Sequence, residues 1–261
     1  MEISEFMKKF NFHKEKELFV GIERECHLVD ENGEIVPIAA KVLENIKDKH
    51  FGYELSACQI ESRTDPVRLE SLKDALIKND RVARYTLKTL SLGCSHKEVA
   101  PFDMPLDVYP DPKGRYQQIV KNMPIEILRA ACRVIGTHIH IGMPDHETAL
   151  RVYNEVINHA DELISLGDGS NGERLEIYRI MAPDATPPAY ASWKDFYSTA
   201  CAKGFDQDPR KCWTLIRISI HGTIEFPMFG ATDNLDTIVK WANRCWTICS
   251  TAMSVRHLYV T

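Results

Sequence analysis

The chain lacks any apolar run approaching the roughly 20 residues needed to cross a bilayer. Its opening, MEISEFMKKFNFHKEKELFVG, contains no apolar targeting stretch followed by small residues. A soluble, cytoplasmic protein is expected. There is no basic excess either: 32 Lys and Arg stand against 37 Asp and Glu, a net charge of −5 with neutral His, so no global field draws in nucleic acid or anionic lipid. Neither is expected as a partner. Glycine and proline, 13 of each in 261 residues, are too sparse for a repetitive or largely disordered chain. No repeat or low-complexity tract divides the sequence, and a single domain over residues 1–261 is expected. The cysteines, Cys26, Cys58, Cys94, Cys132, Cys201, Cys212, Cys245 and Cys249, form no closely spaced zinc knuckle. Buried thiols are their simplest role, Cys245 and Cys249 lying one turn apart on one helix face.

What is present is a series of strands with one polar face each. In ELFVGIERECHLVDENG, Phe19, Gly21, Glu23, Glu25 and His27 alternate with Val20, Ile22, Arg24, Cys26 and Leu28 before an Asp-Glu-Asn-Gly turn. Glu23 and Glu25 therefore project together, with Cα atoms about 6.6 to 7 Å apart. FGYELSACQIESRTDP reads as a strand with Tyr53, Leu55, Ala57, Gln59 and Glu61 on one face. Glu54 has the opposite parity, so its joint use with Glu61 requires a bend or two local elements. CRVIGTHIHIG places Cys132, Val134, Gly136, His138 and His140 on one face. KCWTLIRISIHGTIEFPMFGATD places Arg217, Ser219, His221, Thr223 and Glu225 on the polar phase of a strand whose other phase is apolar.

Between these strands lie helical patterns. VRLESLKDALIKNDRVARYTLKTLSLG and ETALRVYNEVINHADELISLG have amphipathic spacing, and DNLDTIVKWANRCWTICSTAMSV opens on a candidate cap, Asn234. Polar-faced strands punctuated by amphipathic helices predict an α+β fold with a curved, mainly antiparallel sheet flanked by helices. A doubly wound parallel sheet is the alternative, disfavoured because each site strand has one charged face.

Glu23, Glu25, Glu61, His138, His140 and Glu225 are the strongest constellation. Several buried carboxylates without cations repel one another and lose hydration, and divalent ions would remove both costs. Mg²⁺ suits the oxygen ligands, while the imidazoles would also admit Mn²⁺. Arg179 and Arg217 have the planar donor forks that suit carboxylate or phosphate, although neither sits in a Gly-rich phosphate loop.

The blocks GIERECHLVD, ELSACQIESRTDP, GTHIHIG, EIYR and HGTIEFPMFGATD, spread over about residues 18 to 240, resemble the glutamate-cysteine ligase type 2 or carboxylate-amine ligase family of the glutamine-synthetase-like superfamily. The resemblance implies Glu25, Glu54 and Glu61 around one metal position, and Glu23, His138 and Glu225 around another. It implies anion-binding, catalytic roles for Arg179 and Arg217, nucleotide contact near Glu25, Glu61 and Arg217, and His140 as a pocket residue. It further implies an enzyme that uses ATP and a divalent ion to join an amino-acid carboxylate to an amine through an acyl phosphate, with glutamate and cysteine as leading substrates. The alternatives are an amidoligase for another amino-acid or peptide substrate, and a noncatalytic nucleotide or amino-acid sensor. One departure stands out: Pro227 occupies a place where the family commonly has arginine shortly after the TIEF-like glutamate. Pro227 supplies no guanidinium and no backbone donor, so it is expected to alter phosphate contacts or end the strand, with Arg217 or Arg179 compensating.

Overall fold

The longest strand, β1 (Val20–Val29), runs near the middle of the sheet. In the computed structural model, which describes residues 2–254, it is joined by β2 (Phe51–Tyr53), β3 (Gln59–Arg63), β4 (Gly93–Ser95), β5 (Thr137–Gly142), β6 (Arg217–Ser219) and β7 (Thr223–Phe229). The order is β2-β3-β1-β5-β7-β6, with β4 paired to the last residues of β1, and each pairing among the described residues is antiparallel. The helices are α1 (Ile3–Met7), α2 (Ala39–Ile46), α3 (Leu72–Thr89), α4 (Arg115–Val120), α5 (Ile125–Arg133), α6 (His146–Val156), α7 (Ala160–Gly167), α8 (Glu173–Met181), α9 (Trp193–Lys203) and α10 (Leu235–Ser254). The α+β architecture expected from the sequence is therefore present: an antiparallel sheet flanked by helices.

Alternation decides which residues enter the core. Val20 and Ile22 of β1, Ile139 and Ile141 of β5, and Ile224 and Phe226 of β7 are all buried on one face, against Leu72 and Leu76 of α3, Val152 and Tyr153 of α6, and Ile238 and Cys245 of α10. Burying each such side chain contributes about 1.5–3 kcal/mol, and an Ile139→Ala cavity should cost about 2–5 kcal/mol. Farther along the same face, Cys26 and Leu28 join Val42, Ile60 and Leu87 in a second core. Asn234 caps α10 through its side-chain oxygen, which accepts from the Asp236 and Thr237 amides at 3.0 and 3.2 Å.

Three strand expectations need correction. The segment FGYELSACQIES is two strands, β2 and β3, separated by residues 54–58. There the Ser56 hydroxyl accepts from the Cys58 amide at 3.1 Å and the Ala57 amide donates to the Asp107 carbonyl at 2.7 Å, which diverts the backbone from the ladder. In CRVIGTHIHIG, Cys132 and Arg133 finish α5 and the strand begins only at Thr137. The Arg133 guanidinium and carbonyl both bond Ala100, holding that turn in place. The segment around IRISIHGTIEF is a hairpin, β6 turning into β7, with Gly222 at φ +71°. A side chain there would be strained and would run into the Asn11 backbone. Arg217 thus faces Glu225 across the hairpin instead of lying along the same strand.

Pro227 does not end β7, which continues to Phe229. The β5–β7 register shifts between Thr137, opposite Phe229, and Ile139, opposite Phe226, so one extra residue is accommodated at Pro227 and Met228. A proline is tolerated at such a bulge because no ladder hydrogen bond is required of it.

Candidate active site

The side chains on the other sheet face meet because of strand register. Glu25 is opposite Glu61, Glu23 opposite His138, and His140 opposite Glu225, which is in turn opposite Arg217. Each strand contributes alternate residues, so three rows of ionisable groups stand side by side across β3, β1, β5, β7 and β6. Glu54 reaches the same place from the loop after β2, the bend removing its parity conflict with Glu61. Of the residues singled out in the sequence, the structure brings together Glu23, Glu25, Glu54, Glu61, His138, His140, Arg217 and Glu225. Arg179 stands apart, exposed near the end of α8.

Two groups of potential ligands result. Carboxylate oxygens of Glu25, Glu54 and Glu61 lie within 4.8 Å of one another, as do ligand atoms of Glu23, His140 and Glu225. His138 sits between the groups, with Nδ1 3.2 Å from Glu23 and 3.6 Å from Glu225, and Nε2 3.7 Å from Glu25. By proximity, His140 completes the second group and His138 bridges the two. The Thr223 hydroxyl lies 2.9 Å from His140 Nδ1, which fixes the ring with Nε2 turned toward two carboxylates. That Nε2 is buried without a hydrogen-bond partner, 3.5 Å from Glu23 and 4.0 Å from Glu225.

The electrostatics of the two groups differ. Burial, followed by the charge of Glu25, raises Glu54 to about 8; burial and the charges of Glu23, Glu54 and Glu25 raise Glu61 as well. In the other group burial also opposes ionisation, but it is outweighed. Arg217 and His140 hold Glu225 down at about 2, and His140 and His138 hold Glu23 well below its ordinary value. His138 moves the other way: burial disfavours its charge, yet the hydrogen bond with Glu23 and the charges of Glu25 and Glu225 lift it to about 9. Arg217 is bound to Glu225 and donates to the Cys212 carbonyl at 2.8 Å, so the hairpin partner supplies the counter-charge for a fully enclosed carboxylate.

The residues fit divalent ions. One group offers only hard oxygen donors within 4.8 Å of one another, and the other sets a buried imidazole nitrogen that makes no hydrogen bond beside two carboxylates.

The clustered residues border a cavity at either end. One, of about 290 Å³, is edged by Lys16, Arg63, Thr64, His140 and His221; the other, of about 200 Å³, by Glu25, Glu54, Arg174, Arg210, Trp213 and Arg217. Arg174 escaped the sequence reading. It is buried, and its guanidinium donates to the carbonyls of Ile135, Met228 and Pro227 at 2.7, 2.9 and 3.1 Å, pinning the bulge. A β-carbon at Gly136 would collide with this guanidinium, and the Gly136 amide donates to Glu25 at 2.7 Å. The signal was available in helical spacing, since Arg174, Ile177 and Tyr178 share the buried face of α8 whereas Arg179 does not.

The antiparallel sheet thus carries acidic groups and imidazoles on one face and packs helices against the other. The fold matches the crystal structure of a bifunctional glutathione synthetase from Pasteurella multocida with a TM-score of 0.57 at 12% identity, over 97% of this chain and 41% of that one. Residues 19–170 match the glutamate-cysteine ligase family 2 (GCS2), and the chain belongs to that family. It is 26% identical over 238 residues to a putative glutamate–cysteine ligase 2-2 of Mycolicibacterium smegmatis, covering 84% of this chain and 59% of that protein. A putative glutamate–cysteine ligase 2-3 of Rhodococcus jostii is 22% identical over 237 residues, covering 84% and 30%. The chain thus spans between about a third and three-fifths of the length of these curated relatives. Among the described residues no helix is long and apolar enough to cross a membrane.

Proposed function

We propose that this chain is an ATP-dependent carboxylate-amine ligase, joining an amino-acid carboxylate to an amine, with glutamate and cysteine the first pair to test. The observation that carries the reading is the convergence of two adjacent ligand groups between two cavities edged by cationic side chains. Family membership and the names of the relatives support the choice of substrates.

Glu25, Glu54 and Glu61 would hold one Mg²⁺ or Mn²⁺ and Glu23, His140 and Glu225 a second, with His138 between them. Such ions, when bound, would offset charge on the transferring phosphoryl group. The chain's own residues would do the remaining work. Lys16 and Arg63 would draw polyphosphate into the larger cavity, and Arg210 and Arg217 the substrate carboxylate into the smaller one. Held in line, the carboxylate oxygen attacks the terminal phosphorus of ATP and ADP leaves; the amine then attacks the acyl phosphate, releasing phosphate and a proton and forming the amide. Arg217 and Pro227 line the same cavity, where the guanidinium would compensate in part for the charge that Pro227 does not supply. The same guanidinium keeps Glu225 ionised and presents its edge to the substrate, while Arg174 supplies fixed positive charge behind Pro227.

The test is to mix protein, ATP, Mg²⁺ and a panel of amino-acid pairs, and to identify condensed product by mass spectrometry alongside ADP. A γ-glutamyl-cysteine product is expected. ADP without any condensed product, or ligand binding without turnover, would contradict the ligase reading. Condensation of another pair would keep the reaction and change the substrates.

A further inference from the structure

The core-facing side of β1 carries a second set of ligand atoms, far from the carboxylates in chemistry. Cys26 and Glu25 are consecutive on β1 and therefore point to opposite faces. The β1–β4 register pairs Leu28 with Cys94, which puts Cys94 diagonally beside Cys26, and His96 follows directly after β4. The two sulfurs and an imidazole nitrogen of His96 lie within 4.8 Å of one another, and neither cysteine is in a disulfide. A cavity of about 310 Å³ opens beside them, edged by Cys94, His96, Arg84, Thr232 and Asp233.

We propose that Cys26, Cys94 and His96 bind one soft d¹⁰ cation, Zn²⁺ or Cu⁺, independently of the acidic cleft. Two thiolates and an imidazole are the donor set these ions favour and the hard ions of the cleft do not. Three protein ligands leave a fourth position open on the cavity side, where water or the Asp233 carboxylate would complete a tetrahedron. Two guanidinium groups flank the site. Arg24 and Arg84 stand beside the sulfurs and share Asp80, at 3.2 and 2.5 Å. Arg24 also bonds the Thr232 carbonyl at 2.9 Å, so the loop that ends at Asp233 is fastened to β1 at this point. A bound ion would clamp β4 and His96 to the back of the strand that carries Glu23 and Glu25.

The experiment uses the reduced, metal-stripped full chain, titrated with Co²⁺ as the probe. One equivalent should produce a near-ultraviolet thiolate-to-cobalt charge-transfer band together with the intense visible bands of tetrahedral cobalt. Excess Mg²⁺ should leave both unchanged, and one equivalent of Zn²⁺ should remove them; competition with a Cu⁺-specific chelator then ranks Cu⁺ against Zn²⁺. Cys94→Ser and His96→Ala should each weaken binding about 100-fold or more, because loss of a ligand exceeds the 10–100-fold typical of outer contacts. Glu61→Gln should leave the signature intact. Absence of the charge-transfer band in folded, reduced protein would overturn the proposal, as would its persistence in folded Cys94→Ser or its loss on adding Mg²⁺.

Discussion

The two ligand groups of the cleft sit on the same sheet face yet solve the problem of buried charge in opposite ways. Glu23, His140 and Glu225 carry their own compensation: His138, His140 and Arg217 pull both carboxylates down and keep them ionised. Glu25, Glu54 and Glu61 have little. Arg63 stands 3.3 Å from Glu61 but is largely in water, and Glu54 and Glu61 are pushed up by burial and by their neighbours. The first group is a set of internal ion pairs; in the second, Glu54 and Glu61 are biased toward their protonated forms. Proteins tolerate the second arrangement poorly unless something binds there.

Removing compensation from the balanced group should have the largest effect. Arg217→Met would leave Glu225 buried beside the histidines alone, at a cost of about 3–5 kcal/mol, which lowers the melting temperature by about 10 °C or more for a chain of this size. Arg217→Lys should recover part of it. An unchanged melting curve for Arg217→Met would break the contrast between the groups.

Neutralising the unbalanced group should do the reverse. Glu61→Gln is expected to reduce divalent-dependent turnover about 100-fold, while the metal-free variant melts no lower than the parent at pH 8 because like-charge repulsion has been relieved. A matching loss of stability would show that Glu61 is held by partners of its own.

Next in size is the pH dependence of the metal-free protein. Glu54 and His138 both have raised values, about 8 and about 9, so their stabilising contributions are complete below the ordinary carboxylate and imidazole ranges and fade as pH rises through those values. Glu225 is depressed to about 2, so its contribution is present above the ordinary carboxylate range and is lost on acidification toward 2. Metal-free protein should therefore melt highest near the ordinary carboxylate range, about pH 4.5 to 5, and progressively lower toward pH 9. Added Mg²⁺ should raise the alkaline side most, releasing protons on binding. A melting temperature that climbs between pH 6 and 9 without metal would contradict these assignments.

The smallest expected change is Thr223→Val, which removes the partner of His140 Nδ1 without touching a ligand atom. Turnover should fall about 10-fold through weaker metal affinity, with rescue by higher Mn²⁺. Loss that no metal concentration restores would assign Thr223 another role.

The sheet face was readable where i and i+2 residues share a strand, as Glu23 and Glu25 do. It was not readable where backbone turns intervene. Alternation runs unbroken through IRISIHGTIEF, so periodicity gave no sign that Gly222 reverses the chain and sets Arg217 against Glu225. The bend between β2 and β3 depends on Ser56 and on the distant Asp107 carbonyl, a contact no local pattern encodes. Arg174 was hidden beside Arg179 in one short helix, although only Arg174 shares the buried stripe with Ile177 and Tyr178. Cys26 and Cys94 meet only through the β1–β4 register.

We propose that both groups are cation sites, one balanced within the chain and one not. Anomalous diffraction from crystals grown with Mn²⁺ and a nonhydrolysable ATP analogue tests it directly. Two Mn²⁺ peaks are expected, one at coordinating distance from Glu25, Glu54 and Glu61, the other from Glu23, His140 and Glu225. In crystals of Glu61→Gln the first should be lost or much reduced and the second retained. Absence of a peak at either group in the parent protein, or loss of both together in the variant, would contradict the account.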